Sequence, residues 1–230
     1  MFLYNRVPFE VNSNIECHRE RDNNFFSVSE IPKENWHKIS KIAQDWATIA
    51  GQKYLEIHGG RYPFFSTRDA YLTDKGKRMR DCDDLCRKIS NSIDTGNVIE
   101  PWDTIITCTA DEKIQSIALH DSTLNKLGFI VTHPKNIRHR INDLQPEQIR
   151  GAGTQIILYL ASKTLRSNLN LRLTALESSK KFYDQLGFEE DFDNVDPYAG
   201  YFHTTSMKLT AEKIREKIKE RTSPFNQLES

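Results

Sequence analysis

The clearest chemical capacity in this chain lies in the run Gln148-Ile149-Arg150-Gly151-Ala152-Gly153 and, further along, in Tyr183. The run follows an apolar, strand-like stretch and opens a helical one. Glycines at a helix start leave several backbone N–H groups uncovered by side chains, and such a start is a socket for a pyrophosphate. From Thr154 to Leu165, the residues Ile156, Ile157, Leu160, Ala161 and Leu165 recur on one helical face, which would anchor the loop in a core. The plainer alternative is a turn that only caps a helix. The run lacks the Gly-Lys-Ser/Thr ending of an ATP-gripping loop. It also comes late, without the early strand–helix–strand unit and ribose-binding acid of a dinucleotide fold. Tyr183 sits in Lys181-Phe182-Tyr183-Asp184-Gln185-Leu186-Gly187-Phe188. Phe182 and Leu186, four apart, share a helical face and read as core, with Gly187 as the stop. Tyr183 falls beside Ser179 on the neighbouring face. That placement predicts a hydroxyl that leaves the core for a cleft, where a phenol can donate a proton to a departing thiolate.

These residues need a frame, and the chain supplies alternating elements. Residues 1–24 are polar and Asn-rich and read as an extension or a short edge strand. Phe25-Phe26-Ser27-Val28 reads as a strand. Trp36, Ile39, Ile42, Ala43, Trp46 and Ile49 set a helical period to about Ala50, and Gly59-Gly60 breaks it. A second helix is predicted from Lys77 to Ile93. Strands follow at Thr104–Thr109, Ile114–His120 and Leu127–Thr132, the last a continuous apolar run typical of a central strand. Leu169, Leu171 and Leu173 alternate with Asn170, Arg172 and Thr174 in the strand predicted after the glycine-loop helix. Ser178–Leu186 reads as a helix, Tyr201–Leu209 as a strand, and Thr210–Arg221 as a charged, solvated helix. The order predicts one α/β domain with a mixed sheet over residues 25–210, followed by a charged helix and tail over 211–230.

Composition narrows the class. Hydrophobic residues make up 37% of the 230 and charged residues 28%, which suits a globular domain rather than a disordered chain. Thirty-two basic residues balance 32 acidic ones, so nothing in the net charge advertises nucleic acid. No stretch approaches the roughly 18 apolar residues of a membrane helix, and Met1 to Glu10 is too short and mixed for a signal peptide. Cys17, Cys82, Cys86 and Cys108 form no dense framework, and a reducing, cytoplasmic setting is expected. Cys82 and Cys86 stand four apart, but no nearby His or Cys pair completes a tetrahedral metal set, so buried thiols are the better reading and no metal is expected.

Taken together, the motifs resemble those of the GNAT superfamily of acyl-CoA-dependent N-acetyltransferases. The family's Gln/Arg-x-x-Gly-x-Gly/Ala loop matches Gln148 to Gly153, and its Phe/Leu-Tyr-x-x-Leu-Gly-Phe pattern matches Phe182 to Phe188. Ile130-Val131-Thr132-His133-Pro134 is similar to the ending of the family's central strand. The resemblance covers about four-fifths of the chain, from Phe25 to Leu209. It implies a GNAT-type mixed sheet flanked by helices, with acetyl-CoA as co-substrate and an amine as acceptor. It implies that Gln148, Arg150, Gly151, Ala152, Gly153 and Thr154 hold the pyrophosphate and that backbone groups of Ile130 and Val131 pair with the pantetheine arm. It also implies that Tyr183 protonates the leaving thiolate.

Two departures stand out. Lys135 to Glu147 separates the central strand from the glycine loop, where many relatives join them almost directly, and reads as a solvated loop. Leu176 stands where many relatives carry an Asn. An acceptor amine must lose a proton, and Glu177, His133 and His120 are the candidate bases, each with a plainer surface or hydrogen-bonding role beside it. Some relatives use ordered water instead, which would leave no base side chain. The acceptor is undetermined, although residues 29–100 carry many aromatics, among them Trp36, Trp46, Tyr54, Tyr62, Phe64, Phe65 and Tyr71. A non-catalytic acyl-CoA-binding or protein-interaction module on the same fold is the alternative. No nucleic acid or membrane partner is expected, and a homodimer is left open.

Overall fold

The computed structural model describes residues 15–17, 26–58, 74–95, 102–137, 148–167, 169–193 and 204–222. Most of residues 1–24, Tyr62, Phe64, Phe65, Tyr71, residues 138–147 and the last eight positions lie outside the described residues. The elements are β1 (Ile15–Cys17), β2 (Phe26–Ile31), α1 (Trp36–Ile57), α2 (Asp74–Asp94), β3 (Thr104–Ala110), β4 (Lys113–Asp121), β5 (Lys126–Thr132), α3 (Ala152–Ser167), β6 (Leu171–Leu176), α4 (Glu177–Gln185), β7 (Glu189–Glu190), β8 (Thr204–Leu209) and α5 (Ala211–Thr222). The strands run in the order β1-β2-β3-β4-β5-β6-β8-β7 in one eight-stranded sheet. The β5/β6 pair is parallel, whereas β1/β2, β2/β3, β3/β4, β6/β8 and β7/β8 are antiparallel, so the sheet is mixed. Two compact units divide the chain: Met1–His120 with Phe129–Ile156, and Asp121–Gly128 with Ile157–Ser230.

The core of the first unit forms where α1 and α2 cover β3, β4 and the end of β5. Ile39, Ala43, Trp46, Ala47 and Ala50 bury one face of α1; Cys82, Cys86 and Ile89 bury one face of α2; Trp102, Ile105, Ile117, Leu119 and Val131 complete the cluster. The spacing of three and four that predicts α1 continues through Gly51 and Tyr54, both buried, and the helix ends at Ile57, seven residues beyond Ala50. A polar pin joins the two helices: the Ser40 and Ser90 hydroxyls are 2.8 Å apart, and Gln44 Nε2 donates to Ser90 Oγ at 2.8 Å. Cys82, Cys86 and Cys108 are buried and free. Contact with the Cys86 thiol and then burial push the Cys82 thiol above its ordinary range, which keeps it protonated and unreactive.

Two features of the β3–β4 hairpin matter. Its turn holds Asp111 and Glu112 at φ 50° and 61°, the left-handed conformation that a two-residue turn of this hand demands at both positions. The second feature is a bulge. Cys108 stands opposite Ser116, but Thr109 stands opposite Ile114, so Gln115 is an extra residue on β4 with no partner on β3.

In the second unit, β5 begins the parallel pairing at Lys126↔Arg172 and Leu127↔Leu173. The strand predicted from Leu169 starts instead at Leu171, and Leu169 is 47% exposed rather than inward-facing. The cause is the β4–β5 turn. Asn125, at φ 50°, donates from Nδ2 to the Asn170 carbonyl at 2.9 Å, and its own carbonyl accepts from Arg172 N at 3.1 Å. The first bond holds Asn170, just before β6, to the turn; the second opens the ladder between β6 and β5. Beyond α4, Asp191 is 2% exposed and is compensated by Arg172 Nε at 3.0 Å and Lys208 Nζ at 3.5 Å, as a buried carboxylate requires.

A glycine at the left-handed turn position should relieve strain. Glu112→Gly is expected to stabilise the full chain by about 0.5–1 kcal/mol, because the left-handed penalty of an L-residue exceeds the added freedom of the unfolded glycine. Urea unfolding of both proteins measures this; a destabilised variant would mean that the Glu112 side chain contributes something the turn geometry does not reveal.

Candidate functional site

In the first unit the glycine run forms the N-terminus of α3. The helix begins at Ala152, two residues earlier than the sequence period predicts, and Gly151 is its N-cap: the Gly151 carbonyl accepts the first helical bond, from Gln155 N at 2.9 Å. Gly151 has φ 86°, a left-handed backbone that favours glycine. A glycine cap brings no side-chain oxygen to the first turn. The N–H groups of Ala152, Gly153 and Thr154 have no acceptor within the helix and gather the positive end of its dipole. Gly153 lies beside β5, where a Cβ would stand in ordinary contact, 3.4 Å from Thr132 Cγ2 and 3.8 Å from Ile130 Cδ1. Arg150, half-buried, immediately precedes the cap.

The end of β5 is fixed by the bulge. The Gln115 carbonyl accepts from His133 N at 2.9 Å, and Ser116 Oγ donates to the Val131 carbonyl at 2.7 Å. Along a strand, one residue's N–H and C=O point to the same side and its neighbours' to the other. Val131 and His133 therefore face β4, and Ile130 and Thr132 present their backbone groups to the opposite side. Val131, expected beside Ile130, thus has its carbonyl engaged by Ser116, and the Thr132 carbonyl has Cys82 Sγ at 3.8 Å.

The segment Lys135–Glu147, expected as a plain solvated loop, has a closed base. Asn136 Nδ2 donates to Gln115 Oε1 at 2.9 Å, while Asn136 Oδ1 accepts from Ile149 N at 3.1 Å. Gln148 Nε2 donates to the Lys135 carbonyl at 3.0 Å. Gln148, expected among the pyrophosphate residues, thus has a structural bond that ties the loop's exit to its entry. Sequence reasoning missed Gln115, Ser116 and Asn136. A bulge depends on the register of two strands, and a single sequence carries no signal for it.

Of the three candidate bases, His133 and His120 are not brought together within the first unit. His133 follows β5, where its Nδ1 accepts from Lys135 N at 3.1 Å and its ring meets Trp46 edge-on at 5.0 Å. Burial first, then the charges of Lys135 and Lys53, lower its pKa from the ordinary value. The ring is therefore neutral near pH 7 with its lone pair engaged, which leaves Nε2–H as a donor. In this geometry His133 presents an Nε2–H donor. His120 is 3% exposed and lies five residues along β4 from Gln115, about 16 Å from the His133 end. The two histidines sit at opposite ends of the β4–β5 hairpin because its strands run in opposite directions. Glu177, in the second unit, is exposed in the first turn of α4.

Tyr183 reverses its expected orientation. It is the buried residue of α4, 6% exposed, whereas Phe182 and Leu186 are only half-buried. The helix end explains the reversal. Gly187, at φ 94°, donates to the Asp184 carbonyl at 3.0 Å, and Phe188 N donates to the Tyr183 carbonyl at 3.1 Å, the paired bonds of a Schellman cap. Such a cap brings the two flanking apolar side chains together, and the Tyr183 and Phe188 rings meet edge-on at 5.5 Å. Burial pushes the phenol pKa well above its ordinary value, so Tyr183 keeps its proton at every working pH. Among the described residues no cluster of His, Cys, Asp and Glu could hold a metal ion, and no helix is long and apolar enough to cross a membrane.

No family model and no curated protein sequence matches the chain. Among solved structures it is similar to a GCN5-related N-acetyltransferase from Rhodopseudomonas palustris, at 14% identity over 80% of this chain and 94% of that one, with a TM-score of 0.44. It is also similar to the PaiA N-acetyltransferase from Thermoplasma acidophilum, solved in complex with coenzyme A, at 12% identity over 80% and 98% of the two chains, with a TM-score of 0.41. A GNAT-family acetyltransferase from Bacillus cereus gives 15% identity over 80% and 96%, with a TM-score of 0.39. The mixed α/β fold stands on the chain's own strand pairings.

The environment of His133 sets a pH dependence. Its folded pKa lies below the unfolded value of 6.5, so the unfolded chain takes up the proton first as pH falls. Stability from this group is present above pH 6.5 and is lost on acidification toward the folded pKa. His133→Asn, whose Oδ1 can still accept from Lys135 N, is expected to lose less stability than the wild type between pH 7 and 5 in urea titrations. Parallel pH slopes in the two proteins would show that the ring is not protected from protonation.

Proposed function

We propose that this chain is a GNAT-type acyltransferase that moves an acetyl group from acetyl-CoA to a primary amine. The observation that carries the reading is the N-terminus of α3: a left-handed glycine cap, bare of side-chain oxygens, at the start of a helix whose Gly153 lies beside β5. That arrangement suits a pyrophosphate. It also coincides with the Gln-x-x-Gly-x-Gly run that resembles the family's CoA-gripping loop. The N–H groups of Ala152, Gly153 and Thr154 would bind the phosphate oxygens, with Arg150 adding charge. Ile130 and Thr132 would pair with the pantetheine arm from the side of β5 turned away from β4.

Acetyl-CoA supplies a thioester carbon for attack by the neutral amine; the new C–N bond forms as the C–S bond breaks. Tyr183 is proposed to return a proton to the sulfur, on the strength of the Phe-Tyr-x-x-Leu-Gly-Phe resemblance and of a phenol that stays protonated. His133, as an Nε2–H donor, would orient the acceptor and not deprotonate it; Glu177 and His120 remain as bases on their residue type alone, and water is the proposed proton acceptor. A reducing, cytoplasmic setting is proposed from the free buried thiols. The burial of Tyr183 and His120 favours the second reading, a non-catalytic acyl-CoA-binding module.

Calorimetry with acetyl-CoA, followed by thiol release over a panel of amines, separates the two. Binding with thiol release is the expected result. Binding without release on any amine supports the module, and no binding overturns both. Tyr183→Phe is expected to lower kcat by roughly 100-fold or more while leaving CoA affinity within about twofold. Unchanged turnover, with chemistry rate-limiting, removes Tyr183 from the reaction.

A further inference from the structure

We infer that Asn136 is a positioning residue for the glycine loop, acting as a two-sided tether between the β4 bulge and the chain that enters α3. The inference rests on the acyl-CoA reading for what the loop binds, but the tether itself rests on geometry. The Asn136 amide uses both of its ends: Nδ2 donates to Gln115 Oε1 at 2.9 Å, and Oδ1 accepts from Ile149 N at 3.1 Å. Ile149 stands two residues before the Gly151 cap. Its N–H would otherwise be the last anchor point before a backbone conformation that only the cap fixes. On the other side, Gln115 is itself immobilised, since its carbonyl holds His133 N at 2.9 Å and its residue is the unpaired member of the bulge.

The tether answers a problem that this chain creates for itself. Residues 138–147 lie in sequence between the end of β5 and the glycine loop, so the two are not adjacent along the chain. A bulge carbonyl, a bulge side chain and one asparagine replace the short covalent connection. The Gln148 Nε2 bond to the Lys135 carbonyl at 3.0 Å closes the same base from the adjacent residue. Phosphate oxygens gain from preset N–H donors because the ordering cost is met before binding. An asparagine is suited to this place because its two ends differ: a donor is needed toward Gln115 and an acceptor toward Ile149.

The test compares wild type, Asn136→Ala and Asn136→Asp by amide hydrogen exchange and by calorimetry with CoA. The aspartate keeps an acceptor for Ile149 N, but to donate to it the Gln115 amide must turn over and give up its Nε2 bond to the Ala110 carbonyl at 3.5 Å, so the aspartate restores the tether in part; high salt screens the added charge. In the ligand-free protein, Asn136→Ala is expected to exchange about five- to tenfold faster at Ile149 and the first turn of α3, with α1 unchanged. CoA affinity should fall by a similar factor of about five to ten, and with an amine that turns over, KM for acetyl-CoA should rise while kcat stays within about twofold. Asn136→Asp should restore part of the slow exchange and, in high salt, part of the affinity lost in Asn136→Ala. Unchanged exchange in Asn136→Ala overturns the tether. Faster exchange with unchanged CoA affinity overturns its positioning role, as does an aspartate variant as impaired as the alanine. If the wild type binds no CoA, the acyl-CoA reading fails, and the positioning role with it, while the exchange data still judge the tether.

Discussion

A single extra residue on β4 governs the geometry of the candidate site. Gln115 has no register partner on β3; its carbonyl and its side-chain oxygen bond elsewhere, while its Nε2 reaches back to the Ala110 carbonyl at 3.5 Å. The carbonyl takes His133 N and thereby fixes the register of the end of β5. The amide takes Asn136, which in turn takes Ile149. Bulges of this kind re-aim strands beside functional sites, and here the re-aiming has a traceable chain of consequences. With Val131 and His133 committed to β4, the backbone groups of Ile130 and Thr132 point the other way. With His133 held at its N–H and its Nδ1, the imidazole is left as a donor. Removing the extra residue would shift every one of these assignments by one position along β5.

Much of the frame was legible in the sequence because it follows from periodicity. The buried face of α1 could be read from apolar residues three and four apart, and the β3–β4 hairpin from two strand-like runs, Thr104–Thr109 and Ile114–His120, close together in sequence. The glycine run could be read as a helix start, and its two glycines differ: Gly151 supplies a left-handed cap, whereas Gly153 stands where a Cβ would make ordinary contact with β5. What could not be read depends on pairing between distant segments. The bulge at Gln115, the exposure of Leu169 and the tether at Asn136 are properties of two or more segments together. The α4 case is more instructive. Spacing put Phe182 and Leu186 inward and Tyr183 outward, but the Schellman cap at Gly187 pulls Phe188 back over Tyr183 and buries that ring instead. A local cap thus overrode the helical period in the last turn, and the glycine that announces such a cap was present in the sequence.

The Phe-Tyr-x-x-Leu-Gly-Phe run therefore has a complete structural explanation, and any chemistry of Tyr183 is additional to it. The same holds for the buried thiols, where contact and burial keep Cys82 protonated and out of reactive chemistry. The α3 N-terminus differs in kind. Its glycine cap answers to a left-handed backbone at φ 86°, where a serine or aspartate would be strained, and it leaves the first-turn N–H groups bare of side-chain oxygens. Those bare N–H groups are the structural feature that suits an anion at that place.

The most direct measurement is a titration of the full chain with CoA, followed by the backbone amide proton and nitrogen shifts of Ala152, Gly153 and Thr154. Saturable downfield movement of these three amide protons, as N–H donors closing on phosphate oxygens, is the expected result. Saturable binding that leaves these three amides unmoved and shifts others instead would contradict the assignment of the α3 N-terminus as the pyrophosphate seat.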